Sequence, residues 1–393
     1  MSDDFIASLS RVLDDIRLKG NYRRIRFLVP VSTTRIVHES REYLNLCSNS
    51  YLSIQNHPLI IDAAKQAVDR YGSGTCSSRS VSGSVDLYEQ LEASVASYKG
   101  YPQALIFSNG YMANIGIIST LTGENDVIFT DELNHSSLIH SMRLSRAKKV
   151  LYRHRDAEDL ERKLKDDSTR GFRFVVSESV FSMDGDLAPV DELVELKNRY
   201  GCQLILDDAH GTGVFGPTGT GVEEVFGVQG KADIHMATFG KALGSFGAFV
   251  LGDPVVTEFL VNRAKTFMYT TALPAHVLAA SLAALSIVRK DLSLKEQLWS
   301  NIAYMRGNLV SYGFDVKESV GPIIPIVVGE DQKALEMQEM LMEKGLFLQA
   351  IRPPTVPEGT SRLRLTVVGG FTAEDMEYTL KHIKAAGRMM KLI

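Results

Sequence analysis

The chain has few of the residues that mark secreted, metal-binding or nucleic-acid-binding proteins. Its 393 residues include three cysteines and one tryptophan, and 43 Lys and Arg against 47 Asp and Glu give a formal net charge of −4. Cys47, Cys76 and Cys202 are too few for a disulfide framework and lack metal-ligand spacing, so we expect reduced thiols and no bound metal. A slightly acidic chain without a basic stripe also argues against a nucleic-acid partner.

No segment has the character of a membrane span or a secretory leader. No apolar run approaches the ~20 residues that cross a bilayer. The N-terminal run Met1-Ser2-Asp3-Asp4 is acidic and lacks the apolar stretch of a signal peptide. We therefore expect a cytoplasmic protein without a membrane partner. The length and a hydrophobic content of 45% predict a large buried core in two or three domains.

The middle of the chain alternates short β-rich runs with helical patterns. An amphipathic helix is predicted first, over residues 5–20, with an apolar face that we expect to pack on another domain or subunit. The seven β-rich runs follow from about residue 100, at 104–107, 127–130, 149–152, 172–177, 203–207, 234–238 and 248–251. This alternation predicts an α/β fold with a large, mostly parallel seven-stranded sheet that is covered on both faces.

The pattern changes after residue 274 and predicts a smaller C-terminal α/β domain. Helices are predicted over 275–289, from Ser293 to about 312 and over 332–344, and Ser293 with Glu296 has the spacing of a capping box. Strands are predicted at 314–317, 323–328 and 363–366. We therefore divide the chain into an N-terminal helix and extension (1–45), a large domain (46–285) and a small domain (286–393).

Two runs that follow apolar strands carry the most chemical information. Lys241 lies between glycines in Ala237-Thr238-Phe239-Gly240-Lys241-Ala242-Leu243-Gly244, and Asp207 and His210 follow an earlier strand. Ligands of such sheets lie beyond the carboxyl ends of the strands, where these side chains could converge. Pyridoxal 5'-phosphate (PLP) requires an amine for its aldehyde, an anion for its ring nitrogen and a donor for its ring hydroxyl. The alternative is a surface lysine and a helix-capping aspartate.

Weaker motifs lie after other predicted strands. The turn Ser108-Asn109-Gly110-Tyr111 leads into a helix, and free backbone N–H groups there suit a phosphate. His135 could stack on an aromatic cofactor, and Ser182 follows the strand at 172–177, although each alone could be an ordinary loop residue. Arg362 and Arg364 share one face of a strand, where a guanidinium could bind a carboxylate or form a surface salt bridge.

Three other motifs are rejected. Gly211-Thr212-Gly213-Val214-Phe215-Gly216 fits a dinucleotide-binding pattern, but Pro217 follows where that motif opens a helix. Gly240-Lys241 is not a phosphate-binding P-loop, because Ala242 stands where Ser or Thr is required. His135 and His140 have no accompanying Cys or carboxylate set that would complete a metal site.

Taken together, the motifs resemble the α-oxoamine synthase family of PLP enzymes. They appear in the family's order and span almost the whole chain: Ser48-Asn49-Ser50-Tyr51-Leu52, Ser108-Asn109-Gly110-Tyr111, Asn134-His135-Ser136-Ser137, Phe181-Ser182-Met183-Asp184-Gly185-Asp186, Asp207-Asp208-Ala209-His210-Gly211-Thr212-Gly213, Thr238-Phe239-Gly240-Lys241 and the stretch from Arg352 to Arg364. The resemblance implies the PLP-dependent transferase fold type I, which is similar to that of aspartate aminotransferase.

The resemblance also implies a role for each matching residue. Lys241 would hold the cofactor aldehyde and move the substrate α-proton. The other implied roles are Asp207 at the ring nitrogen, His210 at the ring hydroxyl with Ser182 nearby, His135 stacked on the ring, Gly110, Tyr111 and Thr238 at the phosphate, Thr270 or Thr271 at the phosphate of a neighbouring subunit, and Asn49 and Arg364 at the amino-acid substrate.

The resemblance implies a decarboxylative condensation of L-alanine with a pimeloyl thioester in biotin synthesis, by a homodimer with shared active sites. Val81-Ser82-Gly83-Ser84 lacks the Gly-Thr pair of glycine-using relatives, which favours a larger amino acid. A synthase that uses L-serine or glycine, or an aminotransferase, remains an alternative. The thiol could belong to coenzyme A or an acyl carrier protein, and a basic entrance could be formed by Arg23, Arg24, Arg26 and Lys265.

Overall fold

The computed structural model describes residues 3–18, 20, 22–23 and 25–393. Met1, Ser2 and Arg24, which entered the sequence interpretation above, lie outside the described residues. The predicted first helix is present as α1 (Asp3–Leu18), and its apolar residues Phe5, Leu9 and Val12 are exposed on the single chain. Three short strands follow: β1 (Val29–Pro30), β2 (Arg35–His38) and β3 (Arg41–Asn45).

A seven-stranded sheet forms the centre of the molecule. Its strands are β4 (Gln103–Phe107), β5 (Val127–Asp131), β6 (Lys148–Tyr152), β7 (Arg173–Glu178), β8 (Gln203–Asp207), β9 (Ile234–Thr238) and β10 (Ala248–Gly252). They are arranged in the order β4-β10-β9-β8-β7-β5-β6, and β10 is antiparallel to both of its neighbours. All seven predicted strands are therefore confirmed, as is the mostly parallel sheet.

Helices cover both faces of this sheet. Along the chain they are α2 (Pro58–Tyr71), α3 (Asp86–Lys99), α4 (Gly110–Leu121), α5 (Ser136–Leu144), α6 (Ala157–Lys165), α7 (Val190–Tyr200), α8 (Val222–Val225), α9 (Pro254–Arg263), α10 (Lys265–Met268) and α11 (Ala275–Lys290). Val175 and Leu204 belong to one apolar cluster, whereas Val176 and Ile205 belong to another. Because successive strand residues face opposite sides, a sheet buried on both faces requires the continuous apolar runs seen in the sequence.

The C-terminal part contains two small sheets. Its elements are α12 (Ser293–Ser311), β11 (Ile323–Gly329), α13 (Asp331–Glu343), β12 (Leu346–Phe347), β13 (Ala350–Ile351), β14 (Ser361–Thr366) and α14 (Ala373–Met389). Strand β14 lies between β11 and β13, and β12 pairs in parallel with β3. The N-terminal extension thus contributes strands to the same sheet as the C-terminal part, which the sequence pattern did not indicate.

Two predictions in the C-terminal part are wrong. No strand forms over 314–317, because Gly313 and Lys317 adopt positive φ at either end. Phe314 and Val316 are buried without a strand partner of their own. Ser293 does not cap α12, since the N-cap residue is Leu292 and no side chain accepts a hydrogen bond there. The hydroxyl of Ser293 instead donates to Asp291, and a capping box is found at α14, between Thr372 and Asp375.

Among the described residues, no helix is both long and apolar enough to cross a membrane.

Candidate active site

The carboxyl ends of the central strands surround a cavity of about 210 Å³. Glu178 and Asp207 are the last residues of β7 and β8, and Lys241 follows β9. The cavity is lined by Gly110, Tyr111, Asn114, His135, Ser137, Glu178, Asp207, Ala209, His210, Met236, Thr238 and Lys241. The structure therefore brings together seven of the predicted site residues, which are spread over 132 positions between Gly110 and Lys241.

Lys241 presents an amine that is easily deprotonated. Burial lowers the pKa of this amine to about 8, although the nearby carboxyl groups of Asp207 and Glu178 oppose the shift. A buried lysine loses the hydration of its charge, so the neutral form becomes accessible near physiological pH. Neutral amine is the form that attacks an aldehyde and that accepts a proton.

Asp207 is buried and held by two donors. Its Oδ2 accepts a hydrogen bond from Asn114 Nδ2 at 2.8 Å, and its Oδ1 accepts one from the backbone N–H of Ala209 at 3.0 Å. Neither donor is a cation, so the carboxylate has no ion-pair partner in direct contact among the described residues. It is therefore available to a protonated ring nitrogen.

His210 is buried and neutral. Burial, followed by the charges of Lys241 and Arg364, places the pKa of its imidazole well below the usual value. Its Nδ1 lies 2.6 Å from the hydroxyl of Tyr51, and burial raises the pKa of that phenol to about 12, so the hydroxyl keeps its proton. When Tyr51 donates to Nδ1, the remaining proton of the imidazole is on Nε2.

His135 is the N-cap residue of α5, and its orientation is fixed by Ser137. The Nδ1 atom accepts from the backbone N–H of Ser137 at 3.2 Å and lies 2.8 Å from the Ser137 hydroxyl. Burial lowers the pKa of this imidazole, so it is also neutral. Because a backbone N–H can only donate, the proton of neutral His135 is on Nε2.

The N-terminus of α4 also lines the cavity, through Gly110 and Tyr111. Asn109 caps the helix through a 2.9 Å bond from Met112 N to its Oδ1. Among the described residues, the amides of Gly110 and Tyr111 have no acceptor, so both point their N–H groups out of the helix end. The Thr238 hydroxyl donates to the Gly247 carbonyl at 2.7 Å, so it must turn before it can donate to a phosphate.

The two predicted arginines have different partners. Arg364 is 9% exposed, and its guanidinium donates to the Ser182 carbonyl, the Thr366 hydroxyl and Asn49 Oδ1 at 2.7, 3.0 and 3.2 Å. None of these acceptors is charged. Arg362 is fully buried and forms an ion pair with Asp184. A buried cation normally has an anionic partner, so Arg364 is the arginine that is available to a carboxylate.

Four predicted site residues do not line this cavity: Asn49 and Arg364, which contact each other as described above, and Ser182 and Thr270. Ser182 is buried, contacts Arg364 through its carbonyl and does not line the cavity. Thr270 donates its hydroxyl to the Thr266 carbonyl and is likewise absent from the cavity of its own chain. The structure of one chain therefore gives neither residue a direct place beside Lys241.

Sequence reasoning missed Glu178, whose carboxyl group also lines the cavity. Glu178 is paired with Asp207 in the β7–β8 register, and burial and the Asp207 charge place its pKa well above the usual value. Glu178 therefore keeps a proton more readily than an exposed glutamate does. A signal was present, because Glu178 ends an apolar strand next to the strand that ends in Asp207.

These groups fit PLP. An amine with a lowered pKa, a carboxylate without an ion-pair partner in direct contact among the described residues and a helix end with free N–H groups surround one cavity. They match the aldehyde, the ring nitrogen and the phosphate respectively. Fold and site together define a PLP-dependent enzyme of fold type I.

Comparisons with known proteins agree. Residues 41–383 match the family model of class I and II aminotransferases. The chain is 44% identical over 388 residues to 8-amino-7-oxononanoate synthase of Geobacter metallireducens, with 98% of this chain and 99% of the relative covered. It is 43% identical over 383 residues to the enzyme of the same name from Citrifermentans bemidjiense, with 97% and 98% covered.

Solved structures of the same type superpose over most of the chain. Serine palmitoyltransferase of S. paucimobilis, solved with bound PLP and myriocin, has a TM-score of 0.92 at 30% identity and covers 100% of this chain and 98% of its own. The 8-amino-7-oxononanoate synthase of Francisella tularensis has a TM-score of 0.78 at 28% identity, with 89% and 99% covered. The chain belongs to the α-oxoamine synthase family of PLP-dependent acyltransferases, within the class I and II aminotransferases.

Proposed function

We propose that this protein condenses L-alanine with a pimeloyl thioester, releasing CO2 and the free thiol and forming 8-amino-7-oxononanoate for biotin synthesis. The observation that carries this proposal is the near full-length identity of 43–44% to relatives with that name. Bound PLP would supply an electron sink for the carbanion that forms at the amino-acid α-carbon. The remaining steps depend on side chains of this protein.

Lys241 is proposed as the residue that holds the cofactor and moves the substrate α-proton. Its pKa of about 8 supports both roles, because an amine with a pKa close to the working pH both accepts and releases a proton readily. Asp207 is proposed to keep the ring nitrogen protonated. His210 would donate from Nε2 to the ring hydroxyl, and His135 would stack on the ring. Gly110 and Tyr111 would donate their amides to the phosphate, together with Thr238 after its hydroxyl has turned.

Arg364 is proposed as the partner of the amino-acid carboxylate, with Asn49 beside it. The guanidinium is already held by three neutral acceptors, so its direction is set before substrate binds. A carboxylate would replace weak neutral contacts with a charge-assisted pair in a site of low dielectric. Loss of that carboxylate as CO2 later in the reaction removes the same attraction and favours departure of the gas.

The thioester is proposed to enter through a second cavity, of about 660 Å³, next to the N-terminal extension. Arg23, Arg26 and Arg352 line this cavity, and Gln349 on its wall accepts the backbone N–H of Arg364 at 3.2 Å. Three guanidinium groups offer binding sites for phosphate or carboxylate groups of an acyl donor. This placement supports two of the basic residues expected from the sequence, Arg23 and Arg26.

The working unit is proposed to be a cytoplasmic homodimer in which Thr270 contacts the phosphate in the partner's site. Two observations support this arrangement. Thr270 is not at the cavity of its own chain, and the neighbouring side chains of Tyr269 and Val81 are 77% and 80% exposed. Large exposed hydrophobic side chains close together are typical of a surface that a partner covers.

The first experiment is to load the purified protein with PLP, titrate it with L-alanine, L-serine and glycine, and then add pimeloyl-CoA. The proposal is supported if L-alanine saturates the change in cofactor absorption at a lower concentration than L-serine or glycine does. Addition of pimeloyl-CoA should then release CO2 and give a product of the expected mass. Lys241→Ala should abolish turnover while its circular dichroism remains unchanged. Equal turnover in that variant without added amines, or conversion of the cofactor to its amine form by the amino acid alone, contradicts the proposal.

A synthase that uses L-serine is the second candidate, because one observation favours it. The serine palmitoyltransferase fold superposes with a higher TM-score, 0.92 against 0.78, than the solved 8-amino-7-oxononanoate synthase. Both candidates share Lys241, Asp207 and Arg364, so the amino-acid titration distinguishes them. A serine-selective response with a long-chain acyl-CoA would replace the first candidate and leave the assigned roles in place.

A further inference from the structure

Asp207 at the end of β8 and His135 at the N-cap of α5 are joined by a continuous set of hydrogen bonds. Asp207 Oδ2 accepts from Asn114 Nδ2 at 2.8 Å, and the same Nδ2 donates to the Ser137 hydroxyl at 2.9 Å. The Ser137 hydroxyl is 2.8 Å from His135 Nδ1. Asn114 and Ser137 are each 1% exposed, so these bonds do not compete with bulk water.

The direction of every bond in this set is determined by chemistry. A carboxylate accepts only, so the Asn114 group that faces Asp207 must be the NH2 group, and flipping the amide would place two acceptors against each other. The second hydrogen of the NH2 group then goes to the Ser137 oxygen. The Ser137 hydroxyl keeps its own hydrogen for His135 Nδ1, which already accepts the Ser137 backbone N–H.

Asn114 contributes to the site through the two hydrogen bonds that its NH2 group donates. Its Oδ1 is buried without a hydrogen-bond partner among the described residues. A buried acceptor without a partner is unfavourable, so an apolar residue would suit this position better if packing were the only requirement. Asn114 also lies one helical turn after Gly110 on α4, so one rigid helix carries both the free amides and the donor to Asp207.

We propose that Asn114 is a positioning residue that joins Asp207 and His135 into one hydrogen-bonded unit. Through the Ser137 hydroxyl it adds to the support that the Ser137 backbone N–H gives the Nε2–H form of His135, and directly it holds the Asp207 carboxylate in one rotamer. The proposal rests on the cofactor-binding roles of Asp207 and His135 that the proposed function assigns. It adds that the two residues are not independent, because the same NH2 group supports both.

The test uses selective ¹⁵N-histidine labelling of the full-length protein, with and without PLP. The His135 signals are assigned by their loss in His135→Gln, and ¹⁵N shifts distinguish the Nδ1–H from the Nε2–H form. We expect the Nε2–H form in the unchanged protein. Ser137→Ala removes one of the two donors to Nδ1 and should raise the His135 pKa by about half to one unit. The minor population of the Nδ1–H form should increase, while the Ser137 backbone N–H still favours Nε2–H. Asn114→Ala should move both readouts in the same direction by a smaller amount.

Ser141→Ala is the matched control. Ser141 is a buried serine one turn further along α5, and its hydroxyl donates to the Ser137 carbonyl, away from His135. It should leave the His135 tautomer and pKa unchanged. If Asn114→Ala does not fold, Asn114→Leu keeps a similar side-chain volume, adds no charge and removes both donated hydrogens, so it provides the same readout.

The link between the two residues is tested by PLP affinity. We expect Asn114→Ala to weaken PLP binding about tenfold, since Asp207 and His135 both lose support, and Ser137→Ala to add little in the double variant. An unchanged His135 tautomer and pKa in both Ser137→Ala and Asn114→Ala overturns the proposal, and so does full additivity of the two losses in PLP affinity. The histidine measurements require no turnover, so they stand even if the proposed reaction is wrong.

Discussion

At the scale of single residues, the chemistry of this site depends on which buried cationic side chains have no carboxylate in direct contact. Lys241 and Arg364 are both in the buried region, and neither has a carboxylate within ion-pair distance among the described residues. Each therefore retains the capacity to bind a group from outside the protein. By contrast, Arg362 and Lys99 are buried beside Asp184 and Asp208 and serve the fold.

The rate of cofactor capture by Lys241 should depend on pH with a midpoint near 8. Burial lowers the pKa of the amine to about 8, so the nucleophilic neutral form falls about tenfold for each pH unit below that value and is dominant above it. Stopped-flow absorbance after mixing PLP-free protein with PLP measures this rate. A midpoint near that of an exposed lysine would contradict the buried setting, and Lys241→Ala should show no capture at any pH.

Arg364 and Arg362 should give opposite kinds of defect. Arg364→Met removes a charge-assisted partner of the substrate carboxylate and should raise KM for the amino acid about ten- to hundredfold. Its loss of stability should be smaller than that of Arg362→Met, because the three acceptors it leaves behind are uncharged. Arg362→Met leaves Asp184 without its buried partner and should lower the free energy of unfolding by on the order of 3 kcal/mol. Steady-state kinetics and urea denaturation of both variants measure the two effects. The reverse assignment of effects would show that Arg362 binds the carboxylate.

At the scale of elements, the loop after β7 is tied to the neighbouring strands by His154. The imidazole lies 3.0 Å from Asp131, the last residue of β5, and 3.0 Å from Asp186 in the loop that carries Ser182. Burial opposes its charge, but the hydrogen bonds and charges of the two carboxylates raise the pKa of His154 to about 9. Because the Ser182 carbonyl accepts a hydrogen bond from Arg364, this loop supports the arginine that is proposed to bind the substrate carboxylate.

The stabilisation by His154 should fade as pH rises. A pKa raised in the folded state means that the contribution is fully present below about 6.5, the unfolded value, and is lost as pH passes through about 9. We expect His154→Gln to destabilise the protein by on the order of 3 kcal/mol more at pH 6 than at pH 10, measured by urea denaturation. His382→Gln is the control, since burial and nearby lysines lower the pKa of His382. Equal destabilisation by His154→Gln at both pH values would argue against a charged imidazole.

At the scale of the whole molecule, a single chain exposes several large hydrophobic side chains, including Phe246, Tyr269 and Val81. Thr270 does not line the cavity of its own chain. The apolar face of α1 is also uncovered, with Phe5, Leu9 and Val12 exposed. The homodimer proposed above would cover such surfaces by packing them against a second copy.

Hybrid dimers should recover activity that neither parent has. Lys241→Ala and Thr270→Ala chains, mixed after mild denaturation and refolded together, should form dimers in which one site combines an intact Lys241 with an intact Thr270 from the other chain. Because a quarter of all sites at most would be native after random assembly, the expected recovery is up to about one quarter of the unchanged activity. Light scattering gives the mass of the assembly. Recovery no greater than the sum of the parents would place Thr270 outside the partner's site.

The sequence predicted the central sheet and the centre of the site, whereas it missed features that depend on distant pairing. All seven strand positions followed from local apolar runs, and Lys241, Asp207 and His210 were found because each directly follows such a run. The pairing of β3 with β12, by contrast, brings together residues about 300 positions apart. Strand β12 has only two residues, and β3 lacks the continuous apolar run of the central strands. The apolar alternation at 314–317 indicated a strand, but positive φ at Gly313 and Lys317 turned it into a buried loop.

Local sequence thus determined the fold class and the cofactor, and it indicated the amine that is proposed to hold that cofactor, since strand periodicity and a strand-end residue are properties of a short segment. Only the tertiary structure decided which arginine lacks a carboxylate partner. Arg362 and Arg364 lie two residues apart on the same strand, but Arg362 contacts Asp184, 178 positions away, whereas Arg364 contacts the neutral Asn49, 315 positions away. The tertiary structure alone revealed Asn114, whose bond to Asp207 spans 93 positions. Burial and hydrogen-bond partners are set by how the whole chain packs, and no short segment contains them.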